Sequence, residues 1–417
     1  MTLRARNIIL VTLDSLRADH CSFMGYNRKT TPTIDRMAKN GLYFTNAIAA
    51  SLPTPTSMFS AFTADYYLDF GEPLHVGLKR QFHKKRTIAE ILSEKGYNTI
   101  AINKNPYIPA RIGFGKGFDI FHGHSDDLTV TYKLLLTVFR KLKLNRDITD
   151  LILGIGISCN WEKYYELIIN NLKNINRPYF LWVLLLDTHI PYFPPKRKWS
   201  KFLDNFSINY KLRRIKWRGI LDTKERQKLI NAYDDSILYA DGFIRRLKED
   251  TEKDDPVFII HADHGDGFGE HGFYHHPPML YEELIHIPLV IYNADIKGRI
   301  EEPVSLLGLS PSILELIGVN NQFPSESFLN GGKAWVVSKV FDRGKRKVAV
   351  RMKEWKYIEG QRGEGELYNL RKDPTEQENL VNNYPDLVKM FRNIIRNHTK
   401  EEERIRIRYH LRSILSD

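Results

Sequence analysis

Cysteine is nearly absent from this chain: Cys21 and Cys159 are the only two in 417 residues. A disulfide framework is therefore excluded, and the fold must rest on a buried core. Long apolar runs are missing as well. Nothing approaches the roughly 18 consecutive apolar residues that a membrane span requires. The opening "MTLRARNIILVTLD" turns from basic to apolar, but its apolar run ends at Asp14, short of a signal h-region and without a cleavage site. On this reading the chain is cytoplasmic, and the sequons at Asn205 and Asn397 carry no weight. Repeats and low-complexity segments are absent too, which excludes solenoids and flexible tethers.

Negative charge is in deficit, 50 Asp and Glu against 62 Lys and Arg, for a net charge of +12. Such a surplus suits nucleic acid, an anionic membrane face or an anionic substrate. The basic clusters are scattered over 79–86, 196–198, 211–218 and 343–347, and each reads as a solvated face. No nucleic-acid module accompanies them, so nucleic acid is not an expected partner. What the chain does have is apolar substance: 42% hydrophobic residues and 12% aromatics are enough for a large core.

That substance is patterned. "NIILVTLD" (7–14), "PYFLWVLLLDTH" (178–189) and "DDPVFIIHADHGD" (254–266) are continuous apolar runs that end in a carboxylate, as strands buried on both faces would. Between them, 31–49 and 87–103 read as helix, glycine stop and strand, residues 224–249 have helical spacing, and 284–293 is a further strand. The alternation predicts an α/β fold with a mainly parallel central sheet flanked by helices. Residues 1–332 would form this domain, with an inserted helical region at about 128–172. The basic, amphipathic start of that insert would pack on the chain, dock on a membrane or meet a partner helix. From 333 to 417, short antiparallel strands and a charged terminal helix predict a smaller α+β lobe.

Ligand sites in such sheets gather beyond the carboxyl ends of the strands, where Asp14, Asp187 and Asp263 stand. Asp14, Asp263 and the adjacent His264 offer a donor set for one divalent cation acting as a Lewis acid: Ca²⁺, Mg²⁺, Mn²⁺ or Zn²⁺. The segment "HADHGDGFGEHGFYHH" (261–276) packs five His, two Asp, one Glu and four Gly into sixteen residues, more than core packing needs. "SLPTPTSMFSAFTA" (51–64) gathers Thr54, Thr56 and Ser57 where a helix begins. These hydroxyls would cap its first turn, or one of them would be a nucleophile at a helix N-terminus, where N–H groups favour negative charge. A metal-bound Thr54 hydroxyl would then attack phosphorus or sulfur. His189, in "DTHIPYFPP", follows a strand end and precedes a rigid loop.

With those residues in place, a resemblance emerges. "ILVTLDSLRADH", "TTPTIDRMAKNGLYFTNAIA", "LLLDTHIPYFPP", "HADHGDGFGEHGFYHHPPMLYEELIHIPLVIY" and "ELYNLRKDPTEQENL" resemble, in order along nearly the whole chain, the motifs of the sulfatase family of the alkaline phosphatase superfamily. The resemblance implies Asp14, Asp263, His264 and Thr54 as metal ligands, and Thr54 as nucleophile. It implies His189 and His276 at the leaving group or the anion, with Arg17 and His271 as further substrate contacts. Ser15 stands where many members carry a second Asp, leaving a thinner metal shell. Most members carry Cys or Ser in Cys/Ser-x-Pro-x-Arg, oxidised to formylglycine. Here the stretch is "TPTSM", with Thr56 for Pro and Met58 for Arg. The extra methyl of threonine blocks the aldehyde. Members with Thr at this position resemble phosphodiesterases and phosphoglycerol or phosphoethanolamine transferases. The resemblance therefore implies a metal-dependent hydrolase or transferase acting on a phosphate ester of a glycan, lipid headgroup or small molecule. Alternatives are sulfate-ester hydrolysis and a degenerate metal-binding protein of the same fold.

Overall fold

The computed structural model describes residues 6–123, 151, 160–215, 217, 219–342, 345–360 and 363–414. Much of the insert expected at 128–172 lies outside them, including its basic, amphipathic start.

The chain opens with β1 (Ile8–Leu13), α1 (Pro32–Asn40), β2 (Leu42–Ile48), α2 (Thr54–Thr63), α3 (Leu74–Lys84), α4 (Ile88–Glu94), β3 (Asn98–Asn103) and β4 (Ile120–His122). It continues through α5 (Glu162–Lys173), β5 (Tyr179–Leu185), α6 (Phe202–Ile215), α7 (Thr223–Asp250) and β6 (Val257–Ala262). A short hairpin follows, β7 (Gly267–Phe268) and β8 (Tyr274–His275), then α8 (Glu282–Ile285), β9 (His286–Tyr292), β10 (Gly298–Ile300), β11 (Val304–Ser305) and α9 (Leu309–Leu316).

The main sheet runs β10-β2-β9-β6-β1-β5-β3-β4, with β11 beside β2. Its pairings are parallel except where β9 meets β6 and β2. β1 is central, and all six of its residues are buried. "IILVTL" needs no polar alternation because apolar packing covers both of its faces. Local signals set the borders. Thr87 caps α4 through a reciprocal bond with Glu90, and Asp222 does the same for α7 with Glu225.

Four antiparallel strands, β12 (Val336–Asp342), β13 (Lys345–Arg351), β14 (Trp355–Glu359) and β15 (Gly365–Asn369), form a second sheet backed by α10 (Pro385–Ile414). This sheet has its own apolar cluster, in which Val350, Tyr357 and Leu367 pack with Val388, Phe391 and Ile395 of α10. Ion pairs join it to the first unit. Lys356, fully buried, lies 3.1 Å from Glu282 and 2.8 Å from Glu376. Arg351 lies 3.2 Å from Glu282.

Candidate active site

The site follows from strand register. Leu13 pairs with Ala262 across the parallel β1–β6 ladder, so Asp14 and Asp263, one residue further along each strand, emerge side by side. Neighbouring strands lie about 4.8 Å apart, within reach of one shared cation. His264 follows directly. One ligand atom from each of Asp14, Asp263 and His264 lies within 4.8 Å of the others, and all three residues are buried.

The backbone turns sharply here. Ser15 takes a left-handed φ of 64°, a conformation that costs a non-glycine residue energy. The turn aims its N–H at Asp263 Oδ1, 3.1 Å away, while its hydroxyl donates to Asp14 Oδ1 at 3.0 Å. Asn105 donates to Asp14 Oδ2 at 2.7 Å. His264 Nδ1 donates to the Gly265 carbonyl at 2.8 Å, which leaves the lone pair of Nε2 facing the carboxylates.

These residues fit a divalent cation. Among the described residues no hydrogen-bond donor meets the buried Asp263 Oδ2, and His264 Nε2 lies 3.5 Å from it. Burial, reinforced by the charge of Asp14, pushes Asp263 above the usual carboxylate range. Burial disfavours charge on His264, but Asp263 and Asp14 outweigh it and raise that ring. Two buried carboxylates therefore face each other with no Lys or Arg partner among the described residues, a deficit that a divalent ion removes. Because it would bind the fold and not the unfolded chain, the fitting metal should stabilise the protein by about 3 kcal/mol at a hundredfold excess over Kd and so raise its unfolding midpoint. Asp263→Asn should abolish that rise in a thermal melt, and an equal rise in the variant would exclude this site.

Thr54 faces the same cluster, with Oγ1 3.1 Å from His264 Nε2. The capping expectation for this stretch does not hold. The N-cap of α2 is Pro53 and makes no side-chain cap bond; Thr54 lies inside the helix, at its first position. Thr56 Oγ1 donates to the Pro53 carbonyl, and Ser57 Oγ donates to the Asp263 carbonyl at 2.7 Å. The Thr56 and Ser57 N–H groups also go to the Pro53 carbonyl, so the helix favours an anion through its dipole rather than through those donors.

Two further histidines close over the cluster. The His276 ring centroid is 4.5 Å from that of His264 and 5.3 Å from that of His189. His276 Nδ1 donates to Asp266 Oδ1 at 3.0 Å, and the hydroxyl of Tyr192 donates to Asp266 Oδ2. Despite its burial, Asp266 is held down to about 2, chiefly by His276. Burial and the charge of His264 bring His276 down to about 4, so its ring is neutral. His189 Nδ1 donates to the Ile190 carbonyl at 2.7 Å.

Arg17 and His271 are not brought into this group. Arg17 is bonded to Asp19, to Glu270 and to the Asp266 carbonyl. His271 lies between Glu283 and the Glu376 carbonyl and stacks on Tyr281 at 3.7 Å. Asp187 also turns aside, taking the N–H of Trp161 at 3.2 Å. Burial raises its carboxyl to about 7, and among the described residues Oδ2 has no donor. Its folded pKa lies above its unfolded value, so its contribution to stability is present below about pH 4 and is lost as pH rises through about 7. Asp187→Asn should therefore raise the urea midpoint near pH 8 and give no gain near pH 4. A gain of equal size at both pH values would contradict that sign.

Two residues of the site, Asn105 and Asp266, have no mark of their own in the sequence reading. Lys104 and Asn105 stand just past the end of β3, and both are only 4% exposed. Their position beyond a strand end is the signal that marks them in the sequence. Asp266 closes the same "ADHGD" that supplies Asp263 and His264.

The sulfatase family model matches residues 6–319. An arylsulfatase of Clostridium perfringens is 24% identical over 93% of each chain. Phosphoethanolamine transferase EptA of Escherichia coli O157:H7 is 25% identical over 64% of this chain and 42% of its own. The fold is shared with the phosphonate monoester hydrolase of Agrobacterium radiobacter, at a TM-score of 0.71 and 17% identity over 95% of this chain and 96% of that one. A second solved structure, with a TM-score of 0.69 and 17% identity over 96% and 98%, holds a protein with its substrate D-glucosamine-2-N,6-O-disulfate. The match of the family model over most of the chain establishes that this chain belongs to the sulfatase family.

Proposed function

We propose that the chain cleaves or transfers phosphate esters, monoester or diester, with Thr54 as nucleophile and Asp14, Asp263 and His264 as the residues that hold one divalent metal. The observation that carries this reading is the Thr54 hydroxyl, 3.1 Å from His264 Nε2, at the start of a buried helix. When bound, the cation supplies Lewis-acid polarisation of the ester and favours the deprotonated form of the attacking hydroxyl.

The chain's own groups do the rest. Thr54 Oγ attacks phosphorus in line, and the ester oxygen leaves on the opposite side. The α2 dipole favours the negative charge that gathers on the nonbridging oxygens. His276 is the proton carrier: Asp266 holds Nδ1, so Nε2 is the atom that gives and takes the proton. An anionic ester beside it raises the ring toward the charged form that the leaving oxygen needs. Water, or an acceptor alcohol, then displaces the group from Thr54. Replacing His276 with Ala should slow turnover by about a hundredfold, and less for esters with good leaving groups. Equal loss for good and poor leaving groups would argue against the acid role.

Phosphorus is favoured over sulfur because threonine cannot form the aldehyde, and because the likenesses include a phosphonate monoester hydrolase and a phosphoethanolamine transferase. Sulfate-ester hydrolysis is the second reading, supported by the arylsulfatase relative. One experiment separates them. The metal-stripped protein is resupplied with each of four ions and given an aryl phosphate monoester, a phosphodiester and a sulfate. Metal-dependent phosphoester turnover is expected; preference for the sulfate would install the second reading.

A further inference from the structure

Helix α6 is built the wrong way round for a helix that faces only water. Its inward positions include two amides, Asn205 and Asn209, at 0% and 1% exposure, beside Ile208 and Leu212. Its outward positions include Phe202 and Leu203, 54% and 77% exposed. Just past its end, Trp217 and Ile220 are 53% and 87% exposed. Scattered exposed apolar residues are ordinary, but large ones at both ends of one helix, with amides on its inner side, mark a contact surface.

The charge on the segment is equally uneven. Residues 196–220 contain nine Lys and Arg against a single acid, Asp204. Of these, Lys196, Arg197, Lys198, Lys201, Arg213 and Arg214 are exposed. The helix is about 21 Å long, so its apolar ends can enter an interface together while Lys196, Arg197, Lys198 and Lys201 before it and Arg213 and Arg214 near its end meet headgroups.

We infer that α6, with residues 196–201 before it and Trp217 and Ile220 after it, docks this protein onto an anionic membrane surface. The paired signature, apolar anchors at both ends and a polybasic face, is the chemistry that anionic lipid recognises. A protein partner would instead need acidic residues matched to this face, and a second copy would oppose two faces of the same sign. Docking here would place the candidate site beside the bilayer. The Trp217 carbonyl accepts the Tyr274 N–H at 3.1 Å, two residues before His276. Asn209 is bonded on both sides to the backbone of Tyr192, the residue that donates to Asp266.

Vesicle co-sedimentation of the whole chain tests this without any turnover. Binding to phosphatidylcholine vesicles carrying about one third phosphatidylglycerol should exceed binding to pure phosphatidylcholine by at least tenfold and weaken with salt. Arg213→Glu with Arg214→Glu should lower it by about tenfold or more, and Phe202→Ser with Leu203→Ser should lower it at constant salt dependence. All four positions are exposed, so melting midpoints should match the parent. Equal binding to both vesicle types, unchanged binding by the charge-reversed variant, or a dimer in light scattering that Phe202→Ser with Leu203→Ser dissociates would overturn the proposal.

Discussion

Thr54→Ala should lower turnover by about a thousandfold or more while leaving the melting midpoint close to that of the parent. The substitution removes one hydroxyl and one methyl from the first turn of α2, and Ala suits a helix. The lost bond is to His264 Nε2, an atom that still has Asp263 close by. Folding is thus spared, whereas the reaction loses the atom that attacks. Thr54→Ser keeps the hydroxyl and should retain most activity, limited by the freer rotation of an unbranched side chain. Rates measured on one aryl phosphodiester decide the matter. A Thr54→Ala variant within tenfold of the parent would mean that water attacks directly and that the threonine is structural.

The second large effect concerns stability, and it is expected from Lys356→Met. This lysine is fully buried between Glu282 and Glu376, and Glu282 also meets Arg351. Burial works against the charge on Glu282, but Arg351 and Lys356 hold its carboxyl well below the usual range. Burial, with the charge of Glu282 added, pushes Glu376 up instead. The lysine is what allows two carboxylates to share this space. Its removal leaves them facing each other out of water, a loss of about 3–5 kcal/mol. Urea unfolding of the variant should show a correspondingly lower midpoint. Lys353→Met breaks exposed pairs with Glu301 and Glu302 and should barely move it. A Lys356→Met midpoint equal to the parent's would mean that the cluster contributes nothing to joining the two sheets.

The same cluster explains a limit of sequence reading. "HGFYHH", "YEELI", "KEWKYIE" and "DPTEQENL" are far apart in the chain, yet His271, Glu282, Lys356 and Glu376 meet in one buried network. Pairing of this kind depends on how the C-terminal sheet rests against α8, and no local period encodes it. His271 was accordingly assigned to substrate when its two nitrogens are occupied by Glu283 and the Glu376 carbonyl. By contrast, Asp14 and Asp263 were legible because an apolar run ending in a carboxylate reports both the buried strand and its end. The hydroxyls at 54–57 admit two readings, cap or nucleophile, for a related reason. A helix start rich in Thr and Ser looks like a cap until tertiary structure shows that the Thr54 hydroxyl points to His264 and that of Ser57 to the Asp263 carbonyl. The inverted face of α6 was hidden as well. Nothing in "FLDNFSINYKLRRI" says that Asn209 will be drawn inward by the Tyr192 backbone, leaving Phe202 and Leu203 outside.

The most direct test of the central claim is a covalent trap. Metal-loaded protein is mixed with a slowly hydrolysed aryl phosphodiester, quenched in acid during turnover, digested and mapped by mass spectrometry. The account predicts a phosphoryl adduct on the peptide that carries Thr54, at Thr54 itself, and none in Thr54→Ala. Sustained turnover with Thr54 unmodified at every time point, and no loss of rate in the variant, would contradict it.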